Sequence, residues 1–244
     1  MIRRLAATVL AILALPAAAS ATEPVLDVQT VAEDTYALVG PLGQRSSHNA
    51  GNNATFGAVV TEAGVVLIDS GGSAQGAAMI DAALDNVTDK DVVVVINTGG
   101  QDHRWLGNGY FKEKGARIIA SEAAVADQKE RANTQFAMLR QLIGPAVLAG
   151  TEAVHADETF AERKTLTVGG VDFEIVHPGQ AHTPGDAFVH VPSRDTVFTG
   201  DIVYVERILG VRDHSNAKSW IAAFEAMEAT GAEHVVPGHG PATD

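Results

Sequence analysis

Short β-rich runs come first along this chain, and helix-length stretches then fall between further strands. Thr35–Val39, Phe56–Thr61 and Val65–Asp69 are rich in Val, Thr, Tyr and Phe and are separated by Gly and Asn, which predicts a meander of paired strands. Ser73–Leu84 then has helical composition. Asp91–Asn97 carries four valines and an isoleucine and reads as a buried strand, and Ser121–Ile143 reads as a long helix with Ser121 as its N-cap. The second half repeats the plan. Leu166–Val168, Val171–Val176, Ala187–Val191 and Thr196–Thr199 are predicted strands, Lys218–Ala229 an amphipathic helix, and His234–Pro237 a last short strand. Two strand-rich halves, each closing with helices, predict two sheets packed face to face with helices outside, a layered α/β architecture.

The N-terminus changes the picture of where the chain works. Met1-Ile-Arg-Arg is a short cationic start, Leu5–Ala18 is an apolar run broken by Pro16, and Ala19-Ser-Ala21 is a small-residue cleavage signal. Residues 1–21 are therefore expected to be a signal peptide and residues 22–244 a mature domain, periplasmic or secreted. The run falls short of the roughly 20 apolar residues that span a bilayer, so no membrane anchor is expected. Of 244 residues, removing 21 leaves 223, enough for one large domain. There is no cysteine, which excludes disulfides, thiolate ligands and a cysteine nucleophile. The formal charge is −13, and loss of Arg3 and Arg4 takes it to −15, so nucleic acid is not an expected partner.

The candidate chemistry sits on loops where strands end. His182-Thr-Pro-Gly-Asp186 follows the run Val171–Val176, Thr199-Gly-Asp201 closes the run Thr196–Thr199, and Pro237-Gly-His239-Gly follows the last strand. Each loop holds one metal-ligand type beside a glycine. Imidazole nitrogen and carboxylate oxygen suit zinc and iron, and glycine lets the backbone turn sharply enough to aim them at one point. Each loop alone is weak, but their order and spacing together are specific.

In that order and spacing the three loops resemble the third, fourth and fifth motifs of the metallo-β-lactamase superfamily. Leu67-Ile-Asp69-Ser-Gly resembles its early Asp-x-Gly element, whose carboxylate supports the metal loop. The resemblance runs from about Val25 to Pro241. It implies an αββα four-layer sandwich with a metal site at one edge, and metal-assisted hydrolysis of small-molecule thioesters, lactones, β-lactams or phosphoesters.

The departure lies in the motif that supplies most ligands, His-x-His-x-Asp-His closed by Gly-Asn. Here Asp91–Asn97 leads into Thr98-Gly-Gly-Gln-Asp-His-Arg-Trp-Leu-Gly-Asn108. Aligned without a gap, Gly99 and Gln101 stand at the two histidines, His103 at the aspartate and Arg104 at the last histidine. Slipped by one residue, Asp102-His103 becomes the Asp-His pair. Both registers lack two histidines and keep His103 near the metal. The resemblance then implies one ion, zinc or alternatively iron, held by His103, His182, Asp201 and His239, with Asp201 or Asp102 placed to take a proton. The loop is also similar to that of glyoxalase-II-like periplasmic members associated with sulfur or quinoprotein oxidation. The alternative is a metal-silent binding or accessory protein of the same fold in such a pathway.

Other positions carry less. Gln101 offers an amide near the metal site. Arg104 is expected to pair with Asp102 or to meet a substrate carboxylate, and Asp186 to orient the His182 loop. Trp105 and Trp220 read as packing anchors, His48 as part of an exposed turn and His177 as structural. His155, His190, His214 and His234 lack a ligand context, and Arg207-Ile-Leu-Gly-Val is placed to line a pocket. Relatives of this kind continue past the final histidine with a helix, whereas this sequence ends at Asp244, so an oligomer in which a partner subunit supplies that cover is compatible with it.

Overall fold

The computed structural model describes residues 25–244, and the expected signal peptide lies outside them. The first half builds β1 (Asp27–Ala32), β2 (Thr35–Val39), β3 (Thr55–Thr61), β4 (Gly64–Ile68), α1 (Ala74–Leu84), β5 (Val92–Asn97), α2 (Asp102–Trp105), α3 (Asn108–Glu113), β6 (Arg117–Ser121), α4 (Glu122–Leu142) and α5 (Pro145–Leu148). The second half adds β7 (Glu158–Phe160), β8 (Arg163–Val168), β9 (Val171–Val176), β10 (Phe188–Val191), β11 (Thr196–Phe198), α6 (Ala217–Glu228) and β12 (His234–Val236).

One sheet orders its strands β1 to β7 in sequence, antiparallel as far as β4 and parallel from β4 to β7. The other is ordered β12-β11-β10-β9-β8, with only the β11–β12 pair parallel. Both faces of the first sheet are covered, so β3 and β4 are buried at every position and read as continuous apolar runs. The layer between the sheets joins Val59, Ile68 and Ile96 of the first to Phe173, Val189 and Phe198 of the second. Outside the first sheet, Leu38, Phe56 and Leu67 pack on Ile80 and Phe111. Outside the second, Val176 and Phe188 pack on Trp220 and Met227. These three apolar layers make the αββα sandwich.

Serine hydroxyls cap α1 and α4, the second as the sequence leads one to expect. The Ser121 hydroxyl accepts from the Ala124 amide at 3.0 Å and donates to the Gly185 carbonyl, tying α4 to the His182 loop. Three strands escaped the pattern reading. β1 is an edge strand exposed or half-exposed throughout, β7 has three residues, and β6 is a short run led by a charged residue. β8 also begins three residues earlier than its apolar part, because its alternating Arg163-Lys-Thr segment pairs in register with β9.

The loops after β4, β5, β9, β11 and β12 are joined by bonds that cross between the sheets. The Ala187 amide donates to the Thr98 carbonyl at 2.7 Å and the Thr55 amide to the Gly238 carbonyl at 2.8 Å. The sheets also meet closely at Gly57, where a Cβ would stand 2.3 Å from the Phe198 ring. Gly57→Ala is expected to overpack this layer and lower stability by about 1–3 kcal/mol. Urea midpoints of the two proteins check this, and an unchanged midpoint would mean that the sheets separate freely there.

Candidate metal centre

His103 lies in the first turn of α2, Asp201 in the 3-10 turn after β11, and His239 in the loop after β12. Strands from both sheets thus carry these three buried side chains to one point, where one donor atom of each lies within 4.8 Å of the others. His103 Nε2 is 3.4 Å from Asp201 Oδ2, and His239 Nε2 is 3.1 Å from Asp201 Oδ1. His103 Nε2 and Asp201 Oδ2 are buried and have no hydrogen-bond partner. Buried polar atoms are nearly always satisfied, so two facing orphans indicate a missing third party. Two imidazoles and a carboxylate are a donor set that suits zinc, and three protein ligands leave a coordination position open.

The far ring nitrogens fix which atoms face inward. His182 Nδ1 lies 2.7 Å from the Gly210 carbonyl, so it donates its proton outward and presents an unprotonated Nε2; His239 Nδ1 lies 2.7 Å from the Asn53 carbonyl and 3.0 Å from the Arg207 guanidinium. His103 Nδ1 lies 3.3 Å from Asp102 Oδ1 and 2.8 Å from the Arg45 guanidinium. Burial holds both His239 and His182 neutral, pushing their pKa values down to about 3 and about 4.

Arg104 is the charge on which the site is built. Its wholly buried guanidinium donates to Asp201 Oδ1 at 2.7 Å, Asp69 Oδ2 at 2.9 Å, the Gly238 carbonyl at 2.8 Å and the Thr55 carbonyl at 3.0 Å. Burial alone would raise the Asp201 pKa, but Arg104 and the neighbouring imidazoles outweigh it and hold Asp201 well below the usual carboxylate range. Asp69 accepts from the Thr98 amide and hydroxyl at 2.7 Å and adopts φ 68°, a left-handed backbone that a non-glycine residue keeps only under constraint. Gly238 is required here, since a Cβ would stand 2.2 Å from the Gly200 carbonyl oxygen and 2.6 Å from the guanidinium.

The loop where the other histidines were expected is filled differently. A Cβ on Gly99 would lie 2.7 Å from Asp186 Oδ1, and one on Gly100 would fall 1.8 Å from Asp127 Oδ2. Gln101 half-faces the cavity and bonds Arg131 and Asp102. From α4, Gln128 and Gln135 donate to the carbonyls of Gly99 and Gly100. Burial and the nearby Asp201 push the Asp186 pKa up to about 8, so this carboxyl is largely neutral at pH 7 while accepting from Thr183.

Over residues 51–239 the chain matches the family model described as the metallo-beta-lactamase superfamily. The chain belongs to the metallo-β-lactamase superfamily. It is 24% identical over 203 residues to the metallo-beta-lactamase type 2 of Elizabethkingia meningoseptica, covering 80% of this chain and 73% of that one. Among solved structures it is similar to a metallo-beta-lactamase from Pontibacter korlensis, with a TM-score of 0.70 at 24% identity, covering 90% and 93% of the two chains. The DIM-1 metallo-beta-lactamase exposed to ceftazidime gives a TM-score of 0.69 at 19% identity, covering 91% and 92%.

Against that superfamily's pattern, three of the four expected metal residues converge. His182 does not fall in the donor cluster; it flanks the cavity with its ring against Tyr204 and Trp220. Asp102, a ligand and proton acceptor in the slipped register, points the other way. It is paired with Arg45 behind the His103 ring and is outside the donor cluster. Arg104 bonds Asp69 and Asp201, and neither Asp102 nor the cavity. Sequence reading missed Arg45 and Tyr204. No motif flags Arg45, whereas Tyr204 stands three residues after Asp201 and packs edge-on to His239 at 4.4 Å.

Arg104→Met would leave two buried carboxylates unpaired and is expected to cost about 3–5 kcal/mol, measured by urea unfolding. The pH dependence of the chelator-treated protein tests the charge states. The folded values of His182 and His239 lie below 6.5, so the stability of burying them neutral is present at pH 7 and lost as pH falls. Asp186 has the opposite sign: its folded value lies above 3.8, so it adds stability as pH falls from about 8 toward 4. Asp186→Asn, which mimics the neutral acid, removes that opposing contribution. Between pH 6 and 4.5 its stability is expected to fall about 1.4 kcal/mol per pH unit more steeply than that of the unsubstituted protein. Parallel slopes would mean that Asp186 is ionised.

Proposed function

We propose that this protein is an exported hydrolase that holds a single zinc ion, or alternatively iron, on His103 Nε2, Asp201 and His239 Nε2, and acts on a small ester, thioester or lactam-like substrate. The observation that carries this reading is the convergence of those three side chains with His103 Nε2 and Asp201 Oδ2 buried and unpartnered. Charge supports it. Asp201 is held ionised and burial keeps His239 neutral, so the cluster offers an anionic oxygen and a neutral imidazole to a cation. A bound ion supplies Lewis-acid chemistry, polarising a carbonyl or ester oxygen and acidifying water.

The chain's own groups set how that chemistry is presented. The Asn53 and Gly210 carbonyls hold the outward ring nitrogens of His239 and His182. Arg104 keeps Asp201 ionised and turns its free Oδ2 toward His103. Burial keeps Tyr204 a phenol, since its pKa is raised well above 10, so its hydroxyl can donate to an anion developing in the cavity. Asp201 rather than Asp102 is the carboxylate that meets His103 and His239.

One observation favours a metal-silent binding protein instead: Asp201 already has a guanidinium on one oxygen. Elemental analysis of protein produced with zinc and purified without chelator separates the two. The hydrolase reading expects about one equivalent, lost in His103→Ala, together with turnover of at least one substrate in a panel of thioesters, lactones and β-lactams that falls at least a hundredfold in Asp201→Asn. Metal near zero under these conditions contradicts it.

A further inference from the structure

Helix α6 covers the outside of the second sheet with Trp220, Ala223 and Met227, and its opposite face is exposed. At about 100° per residue, Lys218, Ile221, Phe224, Glu225 and Glu228 share that face, with Ile221 at its centre. Ile221 is 62% exposed and Phe224 41%. The core already takes the other side of the helix, so nothing in one copy accounts for an apolar centre on this one. The helix is also a fixed platform. The Asn216 side chain accepts from the Ser219 amide at 3.2 Å, and Trp220 Nε1 donates to the Ile202 carbonyl at 2.8 Å, so docking on the outer face has little left to order.

The charges on this face are set against the isolated helix. Lys218 stands in the first turn and Glu225 and Glu228 in the last, each at the end where the helix dipole opposes it. Glu225 and Glu228 are three residues apart and repel each other, while Lys218 has only Ile221 and Ala222 at the spacings where a helical partner would sit. Among the described residues none of the three lies within ion-pair distance of an opposite charge. What is unfavourable in one helix is complementary between two that run antiparallel. A two-fold axis midway between Ile221 and Phe224 brings Lys218 of each copy level with Glu225 and Glu228 of the other, and sets Ile221 and Phe224 of both copies between the charged ends.

We propose that the exposed face of α6 is a self-association surface, on which a second copy of this chain docks its own α6 antiparallel about a two-fold axis. One pair of three-turn helices covers less than the roughly 1,200 Å² at the low end of stable complexes, so the dimer is reversible and concentration-dependent. The pairing is independent of the metal centre.

Sedimentation velocity of the purified protein over a range of concentrations tests this. A monomer–dimer equilibrium is expected, with a Kd of roughly 10–100 μM that rises with added salt. Ile221→Glu is expected to raise that Kd about tenfold or more; Ile221 is exposed, and an unchanged urea midpoint shows that the fold is kept. Charge reversal is the sharper arm. Lys218→Glu makes the three charges of the face all negative, and Glu225→Lys with Glu228→Lys makes them all positive. Each variant alone is expected to stay monomeric, while an equimolar mixture forms a heterodimer at least as tight as the unsubstituted dimer. A protein that is monomeric up to about 1 mM overturns the proposal. So does a dimer that ignores Ile221→Glu and both charge reversals, since it uses another face. A monomer that cosediments with phosphatidylcholine vesicles, and no longer does so in Ile221→Glu, gives the face to a membrane surface and overturns the self-pairing.

Discussion

One buried guanidinium organises this molecule's functional edge. Arg104 reaches the start of β3, the end of β4, the turn after β11 and the loop after β12, through Thr55, Asp69, Asp201 and Gly238. A planar fork that stays charged in a dry interior can satisfy two carboxylates and two carbonyls at once, which a lysine ammonium cannot. The left-handed backbone of Asp69 and the absence of a side chain at Gly238 accompany it. It also fixes the electrostatics: Asp201 is held ionised, with its second oxygen left free toward His103.

The remodelled loop after β5 follows from the same arrangement. Once an arginine occupies the inner position, the space toward Gly99 and Gly100 closes under the neutral Asp186–Thr183 pair and the Arg131–Asp127 pair, leaving no volume for side chains at either glycine. Restoring histidine at Gly99 would therefore clash before it could bind metal. The three converging donors stand at the floor of the cavity, and arginines line its wall.

Much of this was legible in the sequence where residue type and local pattern act alone. The apolar runs that became β2, β3, β5 and β9 and the Ser-capped helices α1 and α4 announce themselves, as do the three loops ending in His182, Asp201 and His239. What was not legible depends on partners distant in sequence. Nothing near Arg104 says that its charge is met by Asp69 and Asp201, 35 and 97 residues away, instead of by its neighbour Asp102. Asp102 in turn is claimed by Arg45, 57 residues earlier in a loop with no motif. The stand-off of His182 reflects a backbone carbonyl and an aromatic cluster that no spacing rule encodes. Edge strands β1 and β7 were missed because half-exposed strands lack a continuous apolar signal.

The central claim is that a single ion sits among His103, Asp201 and His239 with Arg104 in place of further ligands. Anomalous diffraction from zinc-loaded crystals, recorded on both sides of the zinc absorption edge, tests it most directly. The account predicts one strong peak within coordination distance of His103 Nε2, Asp201 Oδ2 and His239 Nε2, with Arg104 still on Asp201 Oδ1. Two peaks, or none in protein crystallised with excess zinc, would contradict it.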